Sequence, residues 1–119
     1  MADYTSEKYW HNLVKMSLSR YFVMYALSKS PMHGYGISKW IGEATKECCR
    51  PTEGSLYPML KEFEEGSYVT SETISVSGRD RKVYTLTDKG LKALVVAKEV
   101  WGHTADLLKE SIQGNEVSV

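Results

Sequence analysis

At Tyr68 the hydrophobic period of the chain changes. Upstream, apolar residues recur every three to four positions, the spacing of one face of a helix; from there "YVTSETISV" alternates, with Val69, Ser71 and Thr73 against Thr70, Glu72 and Ile74. β-Branched residues dominate this stretch, "SGRD" reads as a turn, and "RKVYTL" reads as a partner strand. Helical spacing then returns after Thr87 or Asp88, either able to cap, and runs to about Gln113, where Gly114 stops it. The expectation is a mainly α chain with a two-stranded β hairpin whose tip is polar and basic.

Four helices are expected ahead of the hairpin, and the helix after it holds the clearest periodicity in the chain. Thr5 or Ser6 can cap a first helix with Tyr9, Trp10, Leu13 and Val14 on one stripe, and a second is expected from about Ser17 with Leu18, Tyr21, Phe22 and Tyr25. "KSPMHGYG" interrupts it, because Pro31 and two glycines punctuate strongly. A helix from about Tyr35 to Glu47 follows, burying Ile37, Trp40, Ile41 and Ala44. Thr52 then caps a helix stopped at Gly66, with Leu56, Met59, Leu60 and Phe63 at core spacing. That helix holds Pro58 near its sixth position, where proline removes a backbone donor and costs roughly 3 kcal/mol in a helix interior. In the final helix Leu91, Lys98, Ala105 and Ile112 are seven apart, as are Leu94, Trp101 and Leu108 between them. This is the a/d pattern of a helix lying on a partner helix, and the length of the helix favours a second subunit over the chain's own core.

A chain of 119 residues, 42% apolar and 25% charged, suits one ordinary globular unit. Its longest apolar runs, such as "YFVMYAL", are far too short to span a bilayer, and Asp3 and Glu7 precede any apolar stretch, so neither a membrane span nor a signal peptide is expected and the cytoplasm is the default compartment. Formal net charge is zero, but between Val76 and Lys92 there are five basic residues (Arg79, Arg81, Lys82, Lys89, Lys92) against Asp80 and Asp88. Glu62, Glu64 and Glu65 make the end of the preceding helix acidic. Clustering of this kind, rather than net charge, is what bears on nucleic acid.

Helices, a turn, a further helix and then a hairpin form the order of a winged helix-turn-helix. The major groove of DNA, about 12 Å wide, admits one α-helix. A wing beside it reaches backbone or minor groove, for which Arg79, Arg81 and Lys82 are suited. The stretches "HGYGISKWI", "PTEGSLYPMLKEFEEGSYV" and "GRDRKVYTLTDKG" strongly resemble the PadR family of transcriptional regulators, over about Met16 to Leu108. The resemblance implies a homodimeric repressor with a winged helix over residues 1–90, N-terminal helix included, and a single C-terminal dimerisation helix over residues 91–119, as in the smaller subfamily. It also implies a double-stranded DNA operator as partner.

The residues expected at DNA are Thr52, Glu53, Ser55, Tyr57 and Lys61 of the fourth helix and Arg79, Arg81 and Lys82 of the wing. Serine and tyrosine hydroxyls serve phosphates, and a glutamate can accept from a cytosine amino group. Gly54 would let the backbone come close, and Pro58 would shape that approach or be a tolerated kink. Tyr35 is expected in the core rather than at a phosphate, and Tyr84 and Leu86 are expected to anchor the wing. The seam residues Leu91, Leu94, Lys98, Trp101, Ala105, Leu108 and Ile112 are expected at a dimer interface, with Trp10, Leu13 and Val14 covering the same seam. Family members that respond to several drugs place a tryptophan at the position of Trp101 in a pore at the dimer centre, so the resemblance implies either stacking on a small aromatic effector or plain interface packing there.

Cys48 and Cys49 precede the fourth helix. In a reducing compartment such a pair is either a small apolar filler or a thiol and soft-metal sensor. Lys46, Arg50 and the helix start are expected to lower a thiol pKa there. His11, His33 and His103 are isolated, and no nucleophile motif, phosphate loop or zinc spacing occurs. No enzyme and no cofactor are expected. A winged helix that binds only protein is the remaining alternative.

Overall fold

The computed structural model describes residues 1–114; residues 115–119, the end of the unit expected over 91–119, lie outside them. The elements are α1 (Glu7–Lys29), β1 (Met32–His33), α2 (Gly34–Ala44), α3 (Glu53–Glu65), β2 (Val69–Val76), β3 (Arg79–Leu86) and α4 (Asp88–Ile112).

The two helices expected before Pro31 are one. Trp10, Leu13, Val14, Leu18, Tyr21 and Tyr25 continue a single stripe through Ser17, and two residues on Ser19 donates its hydroxyl to the Lys15 carbonyl inside the same helix. Helix α2 stops at Ala44, short of Glu47. Thr45 closes it by donating to the Ile41 carbonyl from both N (2.9 Å) and Oγ1 (2.7 Å), and Lys46 and Glu47 take left-handed φ of 52° and 65°. Ala44, expected inside, is exposed. Helix α3 begins as read, with Thr52 Oγ1 accepting from Ser55 N at 3.3 Å. At its other end Gly66 keeps a φ of −85° and the left-handed residue is Ser67, φ 65°.

The sheet has three strands, not two, in the order β1-β3-β2 and antiparallel throughout. Strand β1 is only two residues, Met32 opposite Tyr84 and His33 opposite Val83, too short to leave a pattern in sequence. The hairpin turn is Ser77-Gly78 alone. Both take left-handed φ, 51° and 78°, the pair of values that matches the twist of the flanking strands. Arg79 and Asp80, read as turn, therefore belong to β3, with Arg79 opposite Val76.

One core unites these elements: Val23, Ala26 and Leu27 of α1, Ile37 and Ile41 of α2, Leu56, Met59, Leu60 and Phe63 of α3, and Val69 and Tyr84 of the sheet, with Cys49 among them. Each large apolar side chain fully buried in such a core contributes about 1.5–3 kcal/mol. Tyr84 is buried and Leu86 packs against the cluster, so the wing is rooted where expected. Thr87 caps α4, accepting from Gly90 N at 3.1 Å, and its own N–H donates to the Tyr68 carbonyl at 3.0 Å. A Cβ at Gly90 would fall 2.2 Å from the Tyr68 carbonyl oxygen, so only glycine lets α4 start this close to the end of α3.

The seam on α4 is divided. Leu94, expected at a subunit interface, is 1% exposed within its own chain. Lys98 lies over the Tyr25 ring of α1, 5.6 Å from its centroid. Further along, Trp101, Thr104, Ala105 and Leu108 face Trp10, Leu13, Val14, Ser17 and Leu18 of α1 across a groove of about 430 Å³. Leu91, Val95, Val96, Val100, Leu107 and Ile112 are exposed. The boundary between residues 90 and 91 falls within α4.

Candidate nucleic-acid interface

Helices α2 and α3 are joined by a link that side chains hold firmly. Arg50 Nε donates to Ser38 Oγ at 3.2 Å, Ser38 Oγ donates to the Pro51 carbonyl at 3.2 Å, and Arg50 lies 3.8 Å from Glu47. This fixes the angle at which α3 leaves α2, and with it the direction of the first turn of α3. The core takes Leu56, Met59, Leu60 and Phe63, leaving Glu53, Tyr57 and Lys61 exposed on another face. Four-residue spacing puts those three on one stripe.

Tyr57 stands where three clefts meet. The first, about 410 Å³, lies between α3 and the wing and is lined by His33, Gly34, Tyr35, Tyr57 and β3 from Arg79 to Lys82. The second runs toward the α2–α3 link through Tyr35, Ser38, Arg50 and Glu53. The third runs along α3 through Lys61, Glu64, Lys82 and Tyr84. The Tyr57 hydroxyl end packs directly on Gly34: a Cβ there would meet Tyr57 Oη at 2.5 Å.

His33 caps α2, its Nδ1 accepting from Gly36 N at 2.9 Å, while Arg81 Nη1 sits 2.9 Å from its Nε2. The ring thus ties the start of α2 to β3 and sets the Arg81 guanidinium beside the cleft that Tyr57 lines. Arg79 and Arg81 enter no ion pair among the described residues.

Lys82 differs from its neighbours. It is not at the tip but opposite Thr73, its ammonium 3.3 Å from Glu64 Oε1. Glu64 also accepts from the Ser71 hydroxyl. The Ser71 hydrogen bond, then Lys82, holds the Glu64 carboxyl below its ordinary pKa. Lys82 therefore braces the wing stem against α3. Thr52 and Ser55 are also set apart. They bond to each other at the cap (Thr52 Oγ1 to Ser55 Oγ 3.1 Å) and line a groove toward α1 with Lys15, Arg20 and Pro58.

The structure thus brings Glu53, Tyr57, Lys61, Arg79 and Arg81 onto one continuous surface and places Thr52 and Ser55 at its edge. It adds His33, Tyr35, Ser38 and Arg50, which the sequence reading left out. Tyr35, expected in the core, is 61% exposed and stacks on His33 with ring centroids 6.4 Å apart, because the turn before α2 points it outward. The "HGYG" motif was the signal available for these two.

Cys48 is exposed and Cys49 buried, with Sγ atoms 2.7 Å apart. The expected lowering of a thiol pKa is reversed at Cys49: burial, reinforced by the neighbouring Cys48 thiol, pushes it up to about 12.

A helix-turn-helix whose second helix exposes its opening turns beside a rooted, arginine-bearing hairpin defines the winged helix-turn-helix class. The profile of the transcriptional regulator PadR-like family matches residues 23–95, and the chain belongs to that family, one of regulators rather than enzymes. The chain is 31% identical over 97 residues to the transcriptional regulator Rv3488 of Mycobacterium tuberculosis, covering 72% of this chain and 88% of that protein. The crystal structure of smu.1704 from Streptococcus mutans UA159 superposes with a TM-score of 0.74 at 31% identity, over 86% of this chain and 92% of the other. The negative transcriptional regulator PadR of Bacillus subtilis is 29% identical over 80 residues, 66% of this chain, but the chain spans only 44% of that protein's length. That PadR has been crystallised with operator DNA, and this fold matches it with a TM-score of 0.57.

Proposed function

We propose that this chain is a homodimeric, DNA-binding repressor that reads a palindromic operator in the cytoplasm and responds to a flat aromatic effector. The observation that carries the DNA reading is the juxtaposition, around Tyr57, of the exposed stripe of α3 with the Arg79–Arg81 face of the wing, where Arg81 is held against His33. In this reading α3 enters the major groove with Glu53, Tyr57 and Lys61 toward bases and phosphates, and the wing holds the adjacent backbone. Thr52 and Ser55 contribute through the helix start they cap.

The dimer reading is supported by the row of exposed apolar residues that α4 carries beyond Leu94. Pairing α1 and α4 of two chains would cover it and bring the two α3 helices onto half-sites about 34–36 Å apart, or a multiple of that. The effector reading rests on the groove beside Trp101, whose walls are almost wholly apolar and include two indoles, Trp10 and Trp101.

Sequencing the genomic fragments retained by the purified protein tests the DNA reading. An enriched palindrome supports it, and absence of enrichment at low and moderate salt overturns it in favour of a protein partner. Replacing Arg79 and Arg81 by alanine is expected to weaken binding to all sequences and to lower the slope of log affinity against log salt by about 1 for each phosphate that the wing then leaves unneutralised. An unchanged slope would remove the wing from the backbone.

A further inference from the structure

We propose that Cys48 and Cys49 form a dithiol site for trivalent organoarsenicals and that its occupation displaces the start of α3. The effect on DNA rests on the function proposed above; the site itself does not. The two Sγ atoms already face one another, 2.7 Å apart, one at the surface and one in the core.

The donor set selects the ligand class. Zinc takes four ligands, and among the described residues no group of three or more histidine, cysteine or acidic side chains gathers around a common point. Two-coordinate soft ions place their thiolates on opposite sides of the metal, which adjacent residues with facing sulfurs do not allow. A trivalent arsenic carrying one organic group has two pyramidal positions on the same side, and these suit two neighbouring thiols.

The chemistry needs no oxidant. Each S–H loses its proton and each As–OH leaves as water, so RAs(OH)₂ and two thiols give RAs(S-Cys48)(S-Cys49) and two waters, with arsenic trivalent throughout. Exposed Cys48 captures first. Cys49, kept protonated by burial, closes the ring second. That second step carries the structural consequence. Cys49 is 1% exposed, packed in the cluster that holds Ile41 and Leu56, and only Arg50 and Pro51 separate it from the Thr52 cap. The two sulfurs are already in contact, so seating arsenic and its organic group between them must part Cys49 from its core neighbours and draw on the link that aims α3.

The test uses the full chain and phenylarsine oxide. Intact mass and free-thiol titration are expected to show one phenylarsenic group per chain with both thiols consumed, resistant to a monothiol and removed by a dithiol. Cys48→Ser, a change at an exposed position that leaves the core intact, should yield an adduct that a monothiol strips. An equally resistant adduct in that variant, or none in the natural chain, overturns the site. Hydrogen exchange over residues 53–60 reads the coupling without DNA: faster exchange on occupation supports it and unchanged exchange overturns it. Affinity for a DNA duplex at low salt should then fall about tenfold or more. If exchange changes while no duplex ever binds, the DNA function fails and the dithiol site stands.

Discussion

Gly54 lies in the first turn of α3 with nothing in the chain near it; a Cβ there would find only Thr52 Oγ1, at 4.0 Å. Its carbonyl is the one that Pro58 leaves without the usual partner four residues on. A helix favours alanine over glycine by about 0.5–1 kcal/mol, so no internal contact accounts for glycine at this position. Close approach of the backbone to a DNA groove would account for it. Gly54→Ala is therefore expected to raise stability by up to about 1 kcal/mol while weakening binding to a DNA duplex. Calorimetry and fluorescence anisotropy on the same sample check both halves, and equal affinity would show that the first turn of α3 does not approach the groove. Gly34 is the contrast, since a methyl there meets Tyr57 Oη at 2.5 Å, so glycine is what lets the Tyr57 ring end lie on the start of α2. At this scale the sequence was only partly readable. Thr52 as cap and the spacing of Tyr57 and Lys61 follow from local rules, whereas His33 and Tyr35 gain their meaning from β3, nearly fifty residues away.

The wing and α3 are coupled by the carboxylate of Glu64, which accepts from Ser71 of β2 and from Lys82 of β3. Both partners favour the charged form, with Ser71 the larger cause, so the folded pKa lies below its ordinary value. The sign follows from linkage. The folded state holds the proton less tightly than the unfolded chain, so the contribution is present at neutral pH and is lost as pH falls through and below the carboxylate range. Removing the hydroxyl in Ser71→Ala should move the Glu64 titration upward, which a carbon-detected NMR titration of its side-chain carboxyl measures directly. An unmoved midpoint would mean the hydroxyl does not hold the carboxylate. Elements themselves were legible wherever their period ran long. The hairpin, α3 and α4 came within a few residues of their ends because caps and alternation are local. The split of α1 at Ser17 was an error of punctuation: a serine inside a helix looks like a cap until its stripe is followed across it. Strand β1 could not be read at all, since two residues have no period and exist as a strand only because Tyr84 and Val83 lie beside them.

The molecule as a whole is 56 Å long and 24 Å thin, and its length comes with a helix that its own core covers only as far as Leu94. The heptad spacing was visible in sequence, but which of its residues meet α1 and which meet solvent depends on how the α4 start is pressed against Tyr68, a tertiary fact. Exposed Val95, Val96, Val100 and Leu107 are more apolar surface than one helix of a monomer ordinarily leaves bare. A second copy laid across them would need to bury about 1,200–2,000 Å² to be stable, and the two helices α1 and α4 from each chain supply faces long enough to do so. Val100→Glu combined with Leu107→Glu is therefore expected to give a folded monomer by sedimentation and circular dichroism. Neither residue belongs to the core, so the fold should survive. Operator affinity should fall by about 10²- to 10⁴-fold, because two linked half-site contacts become independent ones. Trp101→Ala separates the remaining role of this helix: the dimer and its operator affinity should persist while fluorescence titration with a planar aromatic compound loses its response. A ligand response that survives Trp101→Ala would place effector binding elsewhere, and a natural chain that sediments as a monomer at micromolar concentration would leave α4 without the partner its surface implies.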